Sequence, residues 1–182
     1  MPEIRRPGWD PWAMAIAAVV STRSVDPSTK HGSVLLNSEH LIRGAGFNGF
    51  PKGLPDWQMP MDEARYPLII HAERNGVESS ELDRTELKDA TLYVTGPPCL
   101  PCMCTLIHRG VGNIVYGHQM WASYYRGNDS MGKADVEEGM RLARLGGVGL
   151  KKYEEPEDYG MVEILEEALE RAKIISGREK PK

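Results

Sequence analysis

Two short stretches carry side chains whose types and spacing suit metal chemistry. Pro98-Cys99-Leu100-Pro101-Cys102 sets two thiols in a C-x-x-C spacing at a proline-punctuated helix start, and His71-Ala72-Glu73 lies upstream. Two thiolates and an imidazole make three ligands for one tetrahedral zinc and leave its fourth position open, the arrangement of a catalytic site rather than a structural one. Glu73 stands two residues past the histidine, where a carboxylate can handle protons without being a ligand. Zn2+ is therefore the expected cofactor, held by His71, Cys99 and Cys102, with Glu73 as the catalytic acid–base. A redox reading of the C-x-x-C lacks a thioredoxin-like surrounding. A structural knuckle needs four Cys or His ligands, and the third cysteine, Cys104, is awkwardly spaced for the same ion. Cys104 reads as a small buried residue on the helix that the two ligands begin.

The bulk properties bound the rest. With 182 residues, 41% hydrophobic and 26% charged, the chain suits one globular domain and is short for two. Three cysteines, two of them claimed by metal, leave no disulfide framework. That fits a reducing compartment, so the cytoplasm is the expected location. Arg5-Arg6 and the apolar run Ala13 to Val20 fall short of a signal peptide, because Asp10 and Pro11 interrupt and no cleavage region follows. No stretch is long enough to span a membrane. A net charge of −4 argues against a protein that grips polynucleotides. A few local cations would still suffice for a small anion.

The elements that must position these residues follow from pattern. Asp10 is the expected N-cap, with Pro11 at the first helical position, of a helix running to Thr22. Asp26 to Lys30 reads as a turn, Gly32 to Leu36 as a strand, Asn37 to Glu39 as a hairpin turn, and His40 to Gly46 as the antiparallel return. Gly44-Ala45-Gly46-Phe47-Asn48-Gly49 matches G-x-G-x-x-G, but that fingerprint must open a helix, and Pro51, Gly53 and Pro55 follow at once. The segment reads as a loop, not a dinucleotide site. Residues 56 to 68 look irregular; Leu68 to Val77 is the expected helix of the first ligand, and Glu78 to Asp89 a charged loop or helix end. Thr91 to Thr95 is a strand, the cysteines begin a helix that Gly110 ends, and Asn113 to Tyr116 is another strand.

Beyond there, Trp121 to Arg126 is either a pocket wall or a packed loop. A helix over Gly132 to Leu145 and a strand over Val148 to Tyr153 follow. After Pro156, Met161, Leu165, Ala168, Leu169 and Ala172 recur at helical spacing, for core or interface packing, with Glu163, Glu166, Glu167 and Glu170 on the polar face. His31, His40, His108 and His118 read as surface or satisfied core residues. The result is an α/β protein, a three-layer α/β/α sandwich around a mixed central sheet. Residues 1–155 form the domain, and 156–182 a C-terminal helical extension packed on it.

On these residues the sequence resembles the deoxycytidylate (dCMP) deaminase family of the cytidine deaminase superfamily, over roughly positions 12 to 153. The resemblance rests on Arg23-Ser24-Val25-Asp26-Pro27-Ser28-Thr29-Lys30 leading into His31-Gly32-Ser33-Val34-Leu35, on Gly46-Phe47-Asn48-Gly49-Phe50-Pro51-Lys52-Gly53, on His71-Ala72-Glu73-Arg74-Asn75, and on Pro98 to Cys102. The zinc motifs, H-x-E then P-C-x-x-C, are shared by the zinc nucleobase deaminases; the glycine loop is more particular to the dCMP branch.

The resemblance implies a cytidine deaminase-like fold and hydrolytic deamination of dCMP to dUMP and ammonia, supplying dUMP for thymidylate synthesis. Deamination of another cytosine or adenine nucleotide or of RNA, and a catalytically silent binding protein, stay open as alternatives. It further implies that Glu73 takes a proton from water, passes it to ring N3 and protonates the departing amine. By the same carry-over, backbone around Ala72 and Pro98 holds the base, Asn48 meets the sugar, and Arg23 and Ser24 meet the 5′-phosphate. Read alone, Arg23 is a solvated helix-end cation and Asn48 a turn residue. Gly46, Phe47, Asn48, Gly49 and Lys52 correspond to an effector site for dCTP and dTTP in a homo-oligomer, with Phe47 standing where the family has Tyr. The expected partners are a nucleotide and further copies of the chain, with no polynucleotide and no membrane. The C-terminal helix lies beyond the family's usual end.

Overall fold

The computed structural model describes residues 6–118, 130–157 and 159–178; Trp121 to Arg126 lie outside the described residues. Five short strands, β1 (Gly32–Leu36), β2 (Ile42–Phe47), β3 (Thr91–Val94), β4 (Asn113–Tyr116) and β5 (Gly149–Lys152), form one sheet in the order β2-β1-β3-β4-β5. β1 runs antiparallel to both β2 and β3, while β3, β4 and β5 are parallel. The sheet is mixed, as the pattern implied.

Side chains alternate along a strand, and here the alternation sorts them into two cores. Val34, Leu36, Tyr93 and Val115 face α1 (Trp9–Ser21), packing on Ala13, Met14 and Ala17. Leu35, Leu92, Val94 and Ile114 face the opposite layer. That layer holds Val77 of α2 (Ala72–Glu78), Leu87 of α3 (Arg84–Lys88), Met103 and Leu106 of α4 (Leu100–Arg109), and Met140 and Ala143 of α5 (Ser130–Leu145). Three layers result. Each buried aliphatic side chain contributes about 1.5–3 kcal/mol. No helix among the described residues is long and apolar enough to cross a membrane.

Because β1 is antiparallel to β3, the start of β1 meets the end of β3: the Thr95 N–H donates to the Gly32 carbonyl at 3.0 Å. The end of β2 arrives at the same place, where the Asn48 N–H donates to the His31 carbonyl at 3.2 Å. One end of the sheet thus collects the residues around 31, 48 and 95, and the carboxyl ends of parallel strands are where α/β folds bind ligands.

Several expectations need correction. Gly8, not Asp10, caps α1; Asp10 sits in the first turn and instead accepts from the Tyr93 hydroxyl and pairs with Lys151. Gly44 and Gly46 fall in β2, within the expected antiparallel return, and must be glycine because α2 lies so close that a Cβ on either would strike backbone. The first-ligand helix starts at Ala72, with Leu68 to Ile70 before it; Ile70 bridges Gly49 instead. A short helix, α3, lies within the charged stretch, its start fixed by a reciprocal Asp83–Glu86 capping box. Cys104 is exposed, on the outward face of α4. The last helix, α6 (Met161–Ile175), has no buried residue, so its apolar side chains are not core. Met161 does pack against the α1 layer.

Candidate metal centre and active site

Two helix starts meet at the site. His71 is the N-cap of α2 and Cys99 the N-cap of α4, with Cys102 in the first turn of the latter. Pro101 suits that first turn, since it lacks an N–H that would have no partner there. Both helices direct their positive ends at the site, which favours thiolates. Gly110, at φ 91°, closes α4 in the left-handed conformation.

The Cys99 and Cys102 sulfurs each stand 3.4 Å from His71 Nδ1. All three ligand atoms lie within 4.8 Å of one another. Ligand bonds of about 2.0–2.3 Å to a common tetrahedral ion put donors at separations of this order, so the set fits zinc. The thiol pair shares its charge unevenly. Cys99 is drawn down to about 5, chiefly by the neighbouring Cys102 thiol and then by His71, against the effect of burial. Cys102 is pushed up by the Cys99 thiolate and by burial. His71 is raised by its contact with Cys99.

Glu73, 4% exposed, lies in the first turn of α2. Burial pushes its carboxyl up to about 7, with His71 pulling the other way. A carboxyl poised there can both take and give a proton near neutrality. Asn75, on the same helix, fixes α2 to the glycine loop by donating to the Phe47 carbonyl at 2.8 Å.

The remaining predicted contacts are placed as follows. Ala72 and Pro98 are buried beside the ligands, and the Ala72 carbonyl accepts from the Ser33 hydroxyl at 2.7 Å. Asn48 is buried; its Oδ1 accepts from the His31 N–H at 2.7 Å and its Nδ2 donates to the Thr29 carbonyl at 2.9 Å. Ser24 is buried too, its hydroxyl proton spent on the Asn48 carbonyl at 2.7 Å. Arg23 and Lys52 are exposed, Phe47 is half-buried, and Gly46 and Gly49 are buried.

Three residues to which the sequence assigns no site role belong to this neighbourhood. Asp26 is buried and its Oδ1 accepts from the Ser28 N–H, the Ser28 hydroxyl and the Thr29 N–H. Arg65, also buried, donates to Asp26 at 3.4 Å, to the Ser28 hydroxyl at 2.7 Å and to the Met61 and Asp62 carbonyls. His31, expected to be a surface or satisfied core residue, is buried with Nδ1 3.2 Å from Thr95 Oγ1, but its Nε2 lacks a hydrogen-bond partner among the described residues. Only the Asp-Pro-Ser turn signal hinted at the first; a lone Arg and a lone His carry none.

Known proteins are similar to this chain in sequence and in fold. Residues 7–118 match the model of the cytidine and deoxycytidylate deaminase zinc-binding region. The chain is 32% identical over 115 residues to a deoxycytidylate deaminase of Pongo abelii, covering 59% of this chain and 64%, under two thirds, of that one. It is 28% identical over 152 residues to the deoxycytidylate deaminase of Homo sapiens, covering 80% and 79% of the two chains. In fold it is similar to the dCMP deaminase of cyanophage S-TIM5 solved with dCMP and dUMP, with a TM-score of 0.63 and 20% identity over 82% of this chain and 100% of that one. With a matched region that spans both ligand motifs and Glu73, this chain belongs to the family of zinc-binding cytidine and deoxycytidylate deaminases.

Proposed function

We propose that the protein hydrolyses dCMP to dUMP and ammonia, with Zn2+ held by His71, Cys99 and Cys102 and Glu73 as the acid–base. One observation carries the reading: three zinc-type donors within 4.8 Å of one another share a site with a buried carboxyl raised to about 7. Similarity to deoxycytidylate deaminases supports the choice of nucleotide. Bound zinc supplies Lewis acidity, lowering the pKa of water from about 15.7 to about 7.

The chain's own groups do the rest. Glu73 accepts a proton from the attacking water, delivers it to pyrimidine N3, and protonates the amine as it leaves C4. Its burial excludes bulk water from those transfers. Backbone at Ala72 and Pro98 holds the base. Asn48 meets the sugar through the Nδ2 hydrogen that Thr29 does not use. Arg23 is the cation for the 5′-phosphate, and Ser24, whose hydroxyl proton is committed to Asn48, serves by fixing that residue.

The protein works as a cytoplasmic homo-oligomer in this reading, with dCTP and dTTP acting through Gly46, Phe47, Asn48, Gly49 and Lys52. An effector shifts an equilibrium only by binding one state more tightly. Sigmoidal dCMP kinetics should therefore become hyperbolic with dCTP, and indifference to both triphosphates would remove the effector role.

Turnover of the zinc-loaded protein over dCMP, dCTP, deoxycytidine, AMP and an RNA hairpin tests the substrate. dCMP should be strongly preferred. Preference for an adenine nucleotide or the hairpin would replace the reading with another deaminase activity, and no turnover of any would leave a binding protein.

A further inference from the structure

His31 lies between groups assigned above to sugar, base and metal, with one ring nitrogen unaccounted for. Its backbone is clasped by Asn48, whose Oδ1 accepts from the His31 N–H and whose own N–H donates to the His31 carbonyl. On the other side its Nδ1 is 3.2 Å from Thr95 Oγ1, at the end of β3 that leads into Pro98 and Cys99. Within this frame His31 is 8% exposed and its Nε2 has no hydrogen-bond partner among the described residues.

The network favours one tautomer. Thr95 Oγ1 accepts from the Gly32 N–H at 3.2 Å, and among the described residues its own hydroxyl proton has no acceptor other than His31 Nδ1. An imidazole that accepts at Nδ1 is a donor at Nε2. Burial, followed by the nearby His71, pushes the ring down to about 4, so it offers a single N–H at neutral pH. A buried donor without an acceptor is costly, and it is a suitable group with which to recognise an acceptor delivered by a ligand.

We propose that His31 is a specificity-determining residue, its Nε2–H donating to an oxygen acceptor on the nucleoside part of the substrate. The acceptor is the pyrimidine 2-carbonyl or a sugar oxygen, since His31 is bonded on one side to Asn48 and on the other to Thr95, three residues before Pro98. This inference rests on the deaminase reading above. It adds a contact that discriminates substrates to the residues that perform or anchor the reaction.

The test uses His31→Asn and His31→Gln in the zinc-loaded protein. The Gln amide nitrogen reaches about where Nε2 lies, whereas the Asn amide reaches only the position of Nδ1. Both variants should keep zinc and unfolding temperature. His31→Asn should raise KM for dCMP about three- to tenfold, the worth of one neutral hydrogen bond, and His31→Gln should restore most of it. On the unmodified protein, the 2-thio or the 3′-deoxy analogue of dCMP should show the same penalty, and the one that does identifies the acceptor. That analogue should suffer no further loss in His31→Asn.

An unchanged KM in zinc-loaded His31→Asn overturns the proposal, as does a wild-type protein that penalises neither analogue. Loss of zinc or of unfolding temperature in both variants, with no rescue by Gln, would make the residue structural and overturn it as well. A wild-type protein inactive on dCMP removes the deaminase reading and this inference together, whereas an active one with indifferent variants removes this inference alone.

Discussion

Gly46 on β2 lies backbone to backbone against Gly76 on α2: a Cβ built on Gly46 would stand 2.2 Å from the Gly76 nitrogen and 2.5 Å from the Ala72 carbonyl oxygen. The helix that carries Glu73, and is capped by His71, is therefore seated directly on the edge strand. Gly46→Ala should push α2 off the sheet. Overpacking costs about 1–3 kcal/mol, and here the displaced element carries His71, one of the three metal donors, and Glu73. Urea unfolding should show a loss of that order together with weaker zinc retention, and a variant with full zinc and unchanged stability would contradict the close approach.

The metal set gives a second expectation. His71→Ala, Cys99→Ser and Cys102→Ser should each lose zinc, while Cys104→Ser, on the exposed face of α4, should keep both zinc and turnover. Metal analysis of the purified variants decides it. Zinc lost from Cys104→Ser and kept in Cys102→Ser would mean a different ligand set.

How far these residues were legible in the sequence depended on whether the determinant was local. The cysteine helix and its Gly110 stop were readable because proline, C-x-x-C spacing and a left-handed glycine act within a few residues of themselves. Strand β4 was readable from its apolar run. Why β2 carries glycine at 44 and 46 was not legible, because what demands it is α2, some thirty residues onward in sequence and visible only once the chain has folded. The same holds for His31 and Arg65, whose significance comes from burial beside Thr95 and Asp26. The start of α2 was misplaced because Ile70 is claimed by a bridge to Gly49, a tertiary demand that overrides helical periodicity.

Acid stability supplies a third prediction. Burial alone would raise the Asp26 carboxyl, but N–H and hydroxyl donors from Ser28, the Thr29 N–H and Arg65 outweigh it and hold it below the usual range. A carboxyl lower in the folded chain than its unfolded value of about 3.9 adds stability above that value and loses it as pH falls through the folded one. Asp26→Asn leaves the buried Arg65 guanidinium its hydroxyl and carbonyl acceptors but removes the counter-charge at 3.4 Å, which costs at most about 3–5 kcal/mol at neutral pH. The stability gap between the two proteins should be constant above about pH 5 and narrow below about pH 4. A gap that persists undiminished at pH 3 would contradict the assignment of the carboxylate.

Glu73 provides the most direct measurement of the central claim, that this chain deaminates by proton transfer through a carboxyl that is not a ligand. Zinc content, dCMP binding and dUMP production should be compared in wild type and Glu73→Gln. The account predicts full zinc and retained nucleotide binding in the variant, with turnover lower by at least about 10²–10⁴-fold, the worth of general acid–base catalysis. Near-normal dUMP production by zinc-loaded Glu73→Gln would contradict it.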